Sequence, residues 1–175
     1  MSDELDIDHD DELDAQLIEF WDRCCVAHAG NPGQIDPESP WDAFAFSWPE
    51  ADTAAIDDLA QRVVQRRKQA TTALFWEHEE SDTPLPVPGD YHIILDAAGA
   101  PRAIVRTTQV DVVALNAVDE HYAAIEGEGD GSLAYWREAH IRVFNAMARQ
   151  LGRIPTPDMP VVCERFELVY TGEAI

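Results

Sequence analysis

The sequence predicts an α+β protein: a small β-barrel with helices packed against it and a helical extension at the N-terminus. Two patterns lead there. Apolar residues recur every three to four positions at 13–28, 52–64 and 132–151, which is the spacing of amphipathic helices. Strand-like patterns cluster after Thr71 instead of alternating with the helices, as they do in α+β architectures. A chain of 175 residues, 46% of them hydrophobic, can also build one core without a disulfide or metal to hold it.

The elements follow in order. Residues 1–14 hold eight acids and no base, so they are expected to form a disordered leader, because too little apolar surface is available to offset the entropy of ordering. Leu13, Leu17, Phe20 or Trp21, Cys24 and His28 mark a helix, and Gly30-Asn31-Pro32-Gly33 stops it. The proline-containing stretch 34–49, with Trp41, Phe44, Phe46 and Trp48, reads as an extended segment laid over the core. A second helix runs from about Asp52 on the stripe Ile56, Leu59, Val63 and Val64, and ends in Arg66-Arg67-Lys68.

Residues 71–76 form a β-prone run, and 77–88 an acidic, proline-rich loop. Tyr91 to Leu95 is a strand, 96–101 a hairpin turn, and 102–115 a long strand bent near Thr107 and Thr108. Asn116 is expected to cap a short helix ending near Ala124. A glycine-rich acidic loop, 126–131, precedes Ser132, which opens a helix with Leu133, Trp136, His140, Val143 or Phe144, Met147 and Leu151 on one face. Residues 161–170 close the chain as a strand. The division expected is a leader at 1–14, a helical extension at 15–40 and one domain at 41–175.

Charge limits the possible partners. Twelve basic residues against 34 acidic ones give a net charge of −22. Gripping long nucleic acid requires a basic surface, since counterion release supplies most of that affinity. Long duplex DNA is therefore not an expected partner. No apolar run reaches the length of a membrane span. The acidic N-terminus does not resemble a signal peptide, and three cysteines make no disulfide framework, so a reduced cytoplasmic setting is expected. Cys24-Cys25-x-x-His28 places adjacent thiols about 100° apart on a helix, a poor metal site. Neither a metal nor a cofactor is expected.

Two segments can carry chemistry. Eleven of the twelve basic residues are arginine, and the exception is Lys68. It stands at a helix-to-strand junction three residues before Thr71, where an amine and a hydroxyl can work as a pair. The other segment is 126–131, whose acids can orient a donor or accept a proton beside flexible glycines. Taken alone, the first also reads as a solvated helix end and the second as a surface loop.

Several uncommon strings occur here in one order: Phe44-Ala45-Phe46, Lys68-x-x-Thr71 followed by Leu74-Phe75-Trp76-Glu77, and Val87-Pro88-Gly89-Asp90-Tyr91. Glu126-Gly-Glu-Gly-Asp130-x-Ser132-Leu133-x-x-Trp136-Arg137-x-x-His140 and Met159-Pro160-Val161-Val162-Cys163-Glu164-Arg165-Phe166 complete the series. Together they resemble the ASCH domain family over about residues 41–170. The resemblance implies a PUA-like small β-barrel with flanking helices. It also implies a cleft for a modified nucleoside, a nucleotide or short single-stranded RNA. Some members are hydrolases of acetylated cytidine nucleosides and others ribonucleases.

Matching residue by residue, Lys68, Thr71 and Glu126 fall on the catalytic positions of the amidohydrolase members, with Glu128 the alternative carboxylate. Glu128, Asp130, Ser132, Arg66 and Trp76 would line the binding site. Non-catalytic RNA or nucleotide binding is the further option. The chain departs from the family at Arg66, where glycine is usual, and also at Arg67 and Gln69.

Overall fold

A computed structural model of the chain describes residues 7–172, with side chains from Leu13 onward. The expectation for residues 1–6 of the leader lies outside the described residues. The backbone is helical from Ile7, so the first helix, α1 (Ile7–His28), begins inside the acidic segment and not after it. Once Leu17, Phe20, Trp21, Cys24 and Cys25 anchor the helix, each added turn costs little.

The remaining elements are β1 (Trp41–Phe44), α2 (Thr53–Val64), β2 (Ala70–Leu74), α3 (Phe75–Ser81), β3 (Tyr91–Leu95) and β4 (Pro101–Ala114). A 3₁₀ turn (Leu115–Ala117), α4 (Glu120–Glu126), α5 (Leu133–Gln150) and β5 (Pro160–Tyr170) complete the chain. The five strands form one mixed sheet in the order β1-β3-β4-β5-β2; β1 is parallel to β3 and the other pairs are antiparallel. The α+β class is as expected; the sheet of the described strands is open, so it does not close into the expected small β-barrel. Its edges, β1 and β2, do not pair with each other, and residues of both line a cleft instead.

Three apolar clusters build the core. α1 packs Phe20, Trp21 and Cys24 against Ile93 and Ile104. α2 packs Leu59, Ala60 and Val63 against Ile94, Val105 and Phe166. α4 and α5 pack Tyr122, Ala123, Trp136, Phe144 and Ala148 against β2 and β5. The bend foreseen near Thr107 is a register shift between Thr107 and Gln109 where β4 pairs with β5.

Three local expectations are corrected. Residues 77–81 are helical because no proline interrupts before Pro84, and Asp82, at φ 52°, ends the helix by donating its N–H to His78 O. The extended segment contains a true strand, β1, whose pairing with β3 no local pattern announces. Asp119, not Asn116, caps α4, accepting Tyr122 N–H at 2.8 Å.

Arg66 explains why its position favours glycine. α2 ends in a Schellman turn: Arg66 N–H bonds Val63 O at 2.9 Å and Arg67 N–H bonds Arg62 O at 2.8 Å. This puts Arg66 at φ 59°, in the left-handed region. Arg66→Gly should therefore stabilise the protein by about 1 kcal/mol in chemical denaturation. An unchanged or lower midpoint would contradict this account of the turn.

Candidate functional site

The cleft encloses about 760 Å³ between the two sheet edges and the inner face of α5. Phe44, Phe46, Trp48, Tyr135 and Phe144 give it aromatic walls. Its lining holds seven carboxylates, Asp42, Asp58, Glu77, Asp90, Glu126, Glu128 and Glu164, against the arginines Arg62 and Arg142 and the imidazoles of His78, His92 and His140.

Lys68 is fully buried at this site, not solvated at a helix end. Its Nζ donates to Glu128 Oε1 at 2.5 Å and lies 3.6 Å from Glu126 Oε1. The same nitrogen stands 4.8 Å from the centre of the Phe46 ring. Both carboxylates weighed from the sequence thus face the one lysine. They reach it because Gly127, at φ 67°, turns the chain between them. Arg62 braces this turn, donating from Nη1 to Gly127 O at 2.8 Å and to Gly129 O at 3.2 Å.

Glu126 is also buried, and its remaining bonds are internal. Oε2 accepts from Thr72 Oγ1 at 2.9 Å and, through a short bond, from Trp136 Nε1. His140 Nε2 lies 3.5 Å from Oε1, while its ring stacks on Trp136 with centroids 4.2 Å apart. Burial alone would raise the Glu126 carboxyl pKa; Lys68 and His140 outweigh it and lower the value to about 2. For His140, burial disfavours the cation, but Glu126 and Glu128 raise its pKa overall. Trp136, read from sequence as core, is 1% exposed and also holds Glu126.

A second polar group crosses the sheet. His92 Nδ1 pairs with Asp42 through a short contact, and Nε2 lies 3.1 Å from Thr107 Oγ1 and 3.3 Å from Glu164 Oε1. Thr107 Oγ1 donates to Glu164 Oε1 in a short bond. Burial opposes charge on His92, yet its hydrogen bonds to Asp42 and Glu164 raise its pKa to about 10.

The other sequence candidates are placed as follows. Thr71 lines the cleft, but the threonine that bonds Glu126 is its neighbour Thr72. Arg66 is exposed and does not line the cleft. Trp76 packs against the core around Trp136, with the Arg153 guanidinium 5.1 Å from its ring. Asp130 Oδ1 accepts Ser132 N–H at 2.9 Å, and Ser132 Oγ accepts Tyr135 N–H at 3.1 Å, so these two build the start of α5. Thr72, His140, His92, Thr107 and Glu164 were missed. The available signal was polar residues set in otherwise apolar strands, together with the four-residue spacing of Trp136 and His140 on one helix face.

The cysteines are chemically quiet. Burial pushes Cys24 and Cys163 up to about 12, and among the described residues no group of three or more His, Cys, Asp or Glu could hold a metal ion. Among the described residues no helix is long and apolar enough to cross a membrane.

Stability should depend on pH at both ends of the scale. The lowered Glu126 pKa contributes stability that is complete above about 4.5 and is lost as pH falls toward 2. The raised His92 pKa contributes stability that is complete below about 6.5 and is lost as pH rises through about 10; His140 acts in the same direction. Denaturation midpoints should peak between these limbs, and His92→Gln should flatten the alkaline one. An unchanged alkaline limb would contradict the assignment.

Fold and cleft define a PUA-like α+β domain with room for a small ligand. The profile of the ASCH domain family matches residues 45–170, and the chain belongs to that family. The crystal structure of an ASCH domain from Lactobacillus crispatus is similar, at 28% identity and TM-score 0.79, covering 87% of this chain and 92% of that one. A crystal structure of a protein from Enterococcus faecalis is similar too, at 32% identity and TM-score 0.75, covering 89% and 88%. Among curated proteins none matches the chain.

Proposed function

We propose that the cleft binds an uncharged base-bearing molecule of the nucleoside class. The observation that carries this reading is the lining itself: aromatic walls for a planar ring, and seven carboxylates outnumbering its two arginines and three histidines taken together. Carboxylates accept N–H and O–H donors of a base and sugar, whereas they repel phosphate. Family membership supports a nucleic-acid-related ligand, and the acidic lining favours its neutral form over a nucleotide or RNA chain. The enzymatic form of the reading is hydrolysis of an acylated cytidine. In that form Thr71 Oγ1 attacks the amide carbonyl, the hydroxyl proton passes by way of the Lys68–Glu126 pair to the exocyclic nitrogen as cytidine leaves, and water then hydrolyses the acetyl-threonine ester, releasing acetate and restoring the hydroxyl. The ribonuclease alternative rests on family likeness alone.

Incubating the protein with N4-acetylcytidine and with labelled single-stranded RNA, and following both by mass spectrometry, tests this reading. It predicts cytidine and acetate from the first and intact RNA in the second. Cleaved RNA beside an untouched nucleoside would overturn it.

A further inference from the structure

One polar side chain from each of the five strands contributes to a diagonal line across the sheet, in spatial order: Asp42 on β1, His92 on β3, Thr107 on β4, Glu164 on β5 and Thr71 on β2. Asp42 stands opposite His92 in register, and Glu164 opposite Thr71. Directly opposed residues point to the same face of a sheet, with Cβ atoms about 5 Å apart. The first four members are linked. With His92 as the imidazolium, Nδ1–H donates to Asp42 and Nε2–H to Thr107, whose hydroxyl donates to Glu164 Oε1. Asp42, His92, Glu164 and Thr71 all line the cleft.

The two polar centres of the cleft differ in what they leave open. Glu126 accepts from Thr72 and Trp136 and faces Lys68 and His140, so its capacity is spent inside the protein. Glu164 is tied through Oε1. Among the described residues, neither its Oε2 nor Thr71 Oγ1 makes a hydrogen bond. The unspent capacity of the cleft therefore lies at Thr71 and Glu164, an acceptor beside a hydroxyl donor, on a carboxylate fixed by three other strands.

We propose that Glu164 is a specificity-determining residue that accepts a hydrogen bond from an N–H donor on the ligand's base, with the Thr71 hydroxyl donating to the acceptor beside it. Asp42, His92 and Thr107 are positioning residues: they fix one oxygen so that the other faces the ligand. The matching chemical class is an amino-substituted heterocycle, in which an exocyclic N–H lies next to a ring nitrogen or carbonyl acceptor. This rests on the nucleoside reading above and adds which residues read the base.

Calorimetric titration with cytidine and with N4,N4-dimethylcytidine, which lacks the N–H, tests it. The intact protein should favour cytidine by about tenfold or more, the worth of one satisfied buried hydrogen bond. Glu164→Gln should bring that ratio to within about threefold while circular dichroism stays native. His92→Leu should lower the ratio, and His92→Gln, which retains a donor, should restore part of it. Binding of cytidine with no preference over the dimethyl compound, or an unchanged ratio in Glu164→Gln, overturns this inference and leaves the nucleoside reading standing. Binding of neither compound overturns both.

Discussion

Replacing Lys68 with methionine is expected to destabilise the protein by about 3–5 kcal/mol, the usual cost of removing one partner from a buried ion pair. Methionine keeps most of the volume and the apolar stem, so the loss comes from charge and not from a cavity. Glu126, 1% exposed, would keep its bonds to Thr72 and Trp136 but lose the cation that most favours its ionised form. Glu128 has a side chain 20% exposed and can turn to water, so it contributes less. Lys68→Met combined with Glu126→Gln should recover a large part of the loss, because the stranded charge is then gone. Equal losses in the single and double variants, measured by urea denaturation, would show that packing and not charge makes Lys68 necessary.

Gly127→Ala is expected to cost about 2–5 kcal/mol, from left-handed strain together with a collision. At φ 67° a Cβ would stand 1.9 Å from Arg67 O and 2.8 Å from Arg67 C, both backbone atoms. That backbone cannot retreat easily, since Arg67 N–H is bonded to Arg62 O at 2.8 Å and Gln69 N–H to Ile125 O at 2.8 Å. The comparison is Gly131→Ala. Its φ is also positive, at 76°, but nothing lies within 4 Å of a Cβ there, so only about 1 kcal/mol is expected. Similar midpoints for the two variants would contradict the close approach. Gly127→Ala should also weaken any ligand of the cleft, because the turn sets Glu126 and Glu128 about Lys68.

Much of this was readable in the sequence, because the periods of α2, α5, β4 and β5 are local properties. Ser132 and the bend near Thr107 were readable for the same reason, each being a local choice of cap or bulge. The lone lysine among arginines, together with the acidic loop, pointed to the two segments that meet in the cleft. What stayed hidden depends on pairing. β1 is four residues long and is defined by its parallel register with β3. The diagonal line from Asp42 to Thr71 draws on residues scattered from 42 to 164, which only the strand order brings together. From the sequence, the glycines of the loop offer only flexibility beside its acids. At Gly127 and Gly129 the structure gives the space a Cβ would take to the Arg67 backbone and the Tyr135 ring. His140 lies on the apolar face of its helix and is 8% exposed, yet it lines the cleft beside Glu126.

The proposed preference of the cleft for a neutral ligand is tested most directly by calorimetric titration of the full chain with cytidine, cytidine 5′-monophosphate and a short single-stranded RNA at low salt. Cytidine should bind, the monophosphate should bind at least severalfold more weakly, and the RNA more weakly still, because each phosphate meets a lining of carboxylates. RNA binding tighter than cytidine, with an affinity that falls steeply as salt is added, would contradict it.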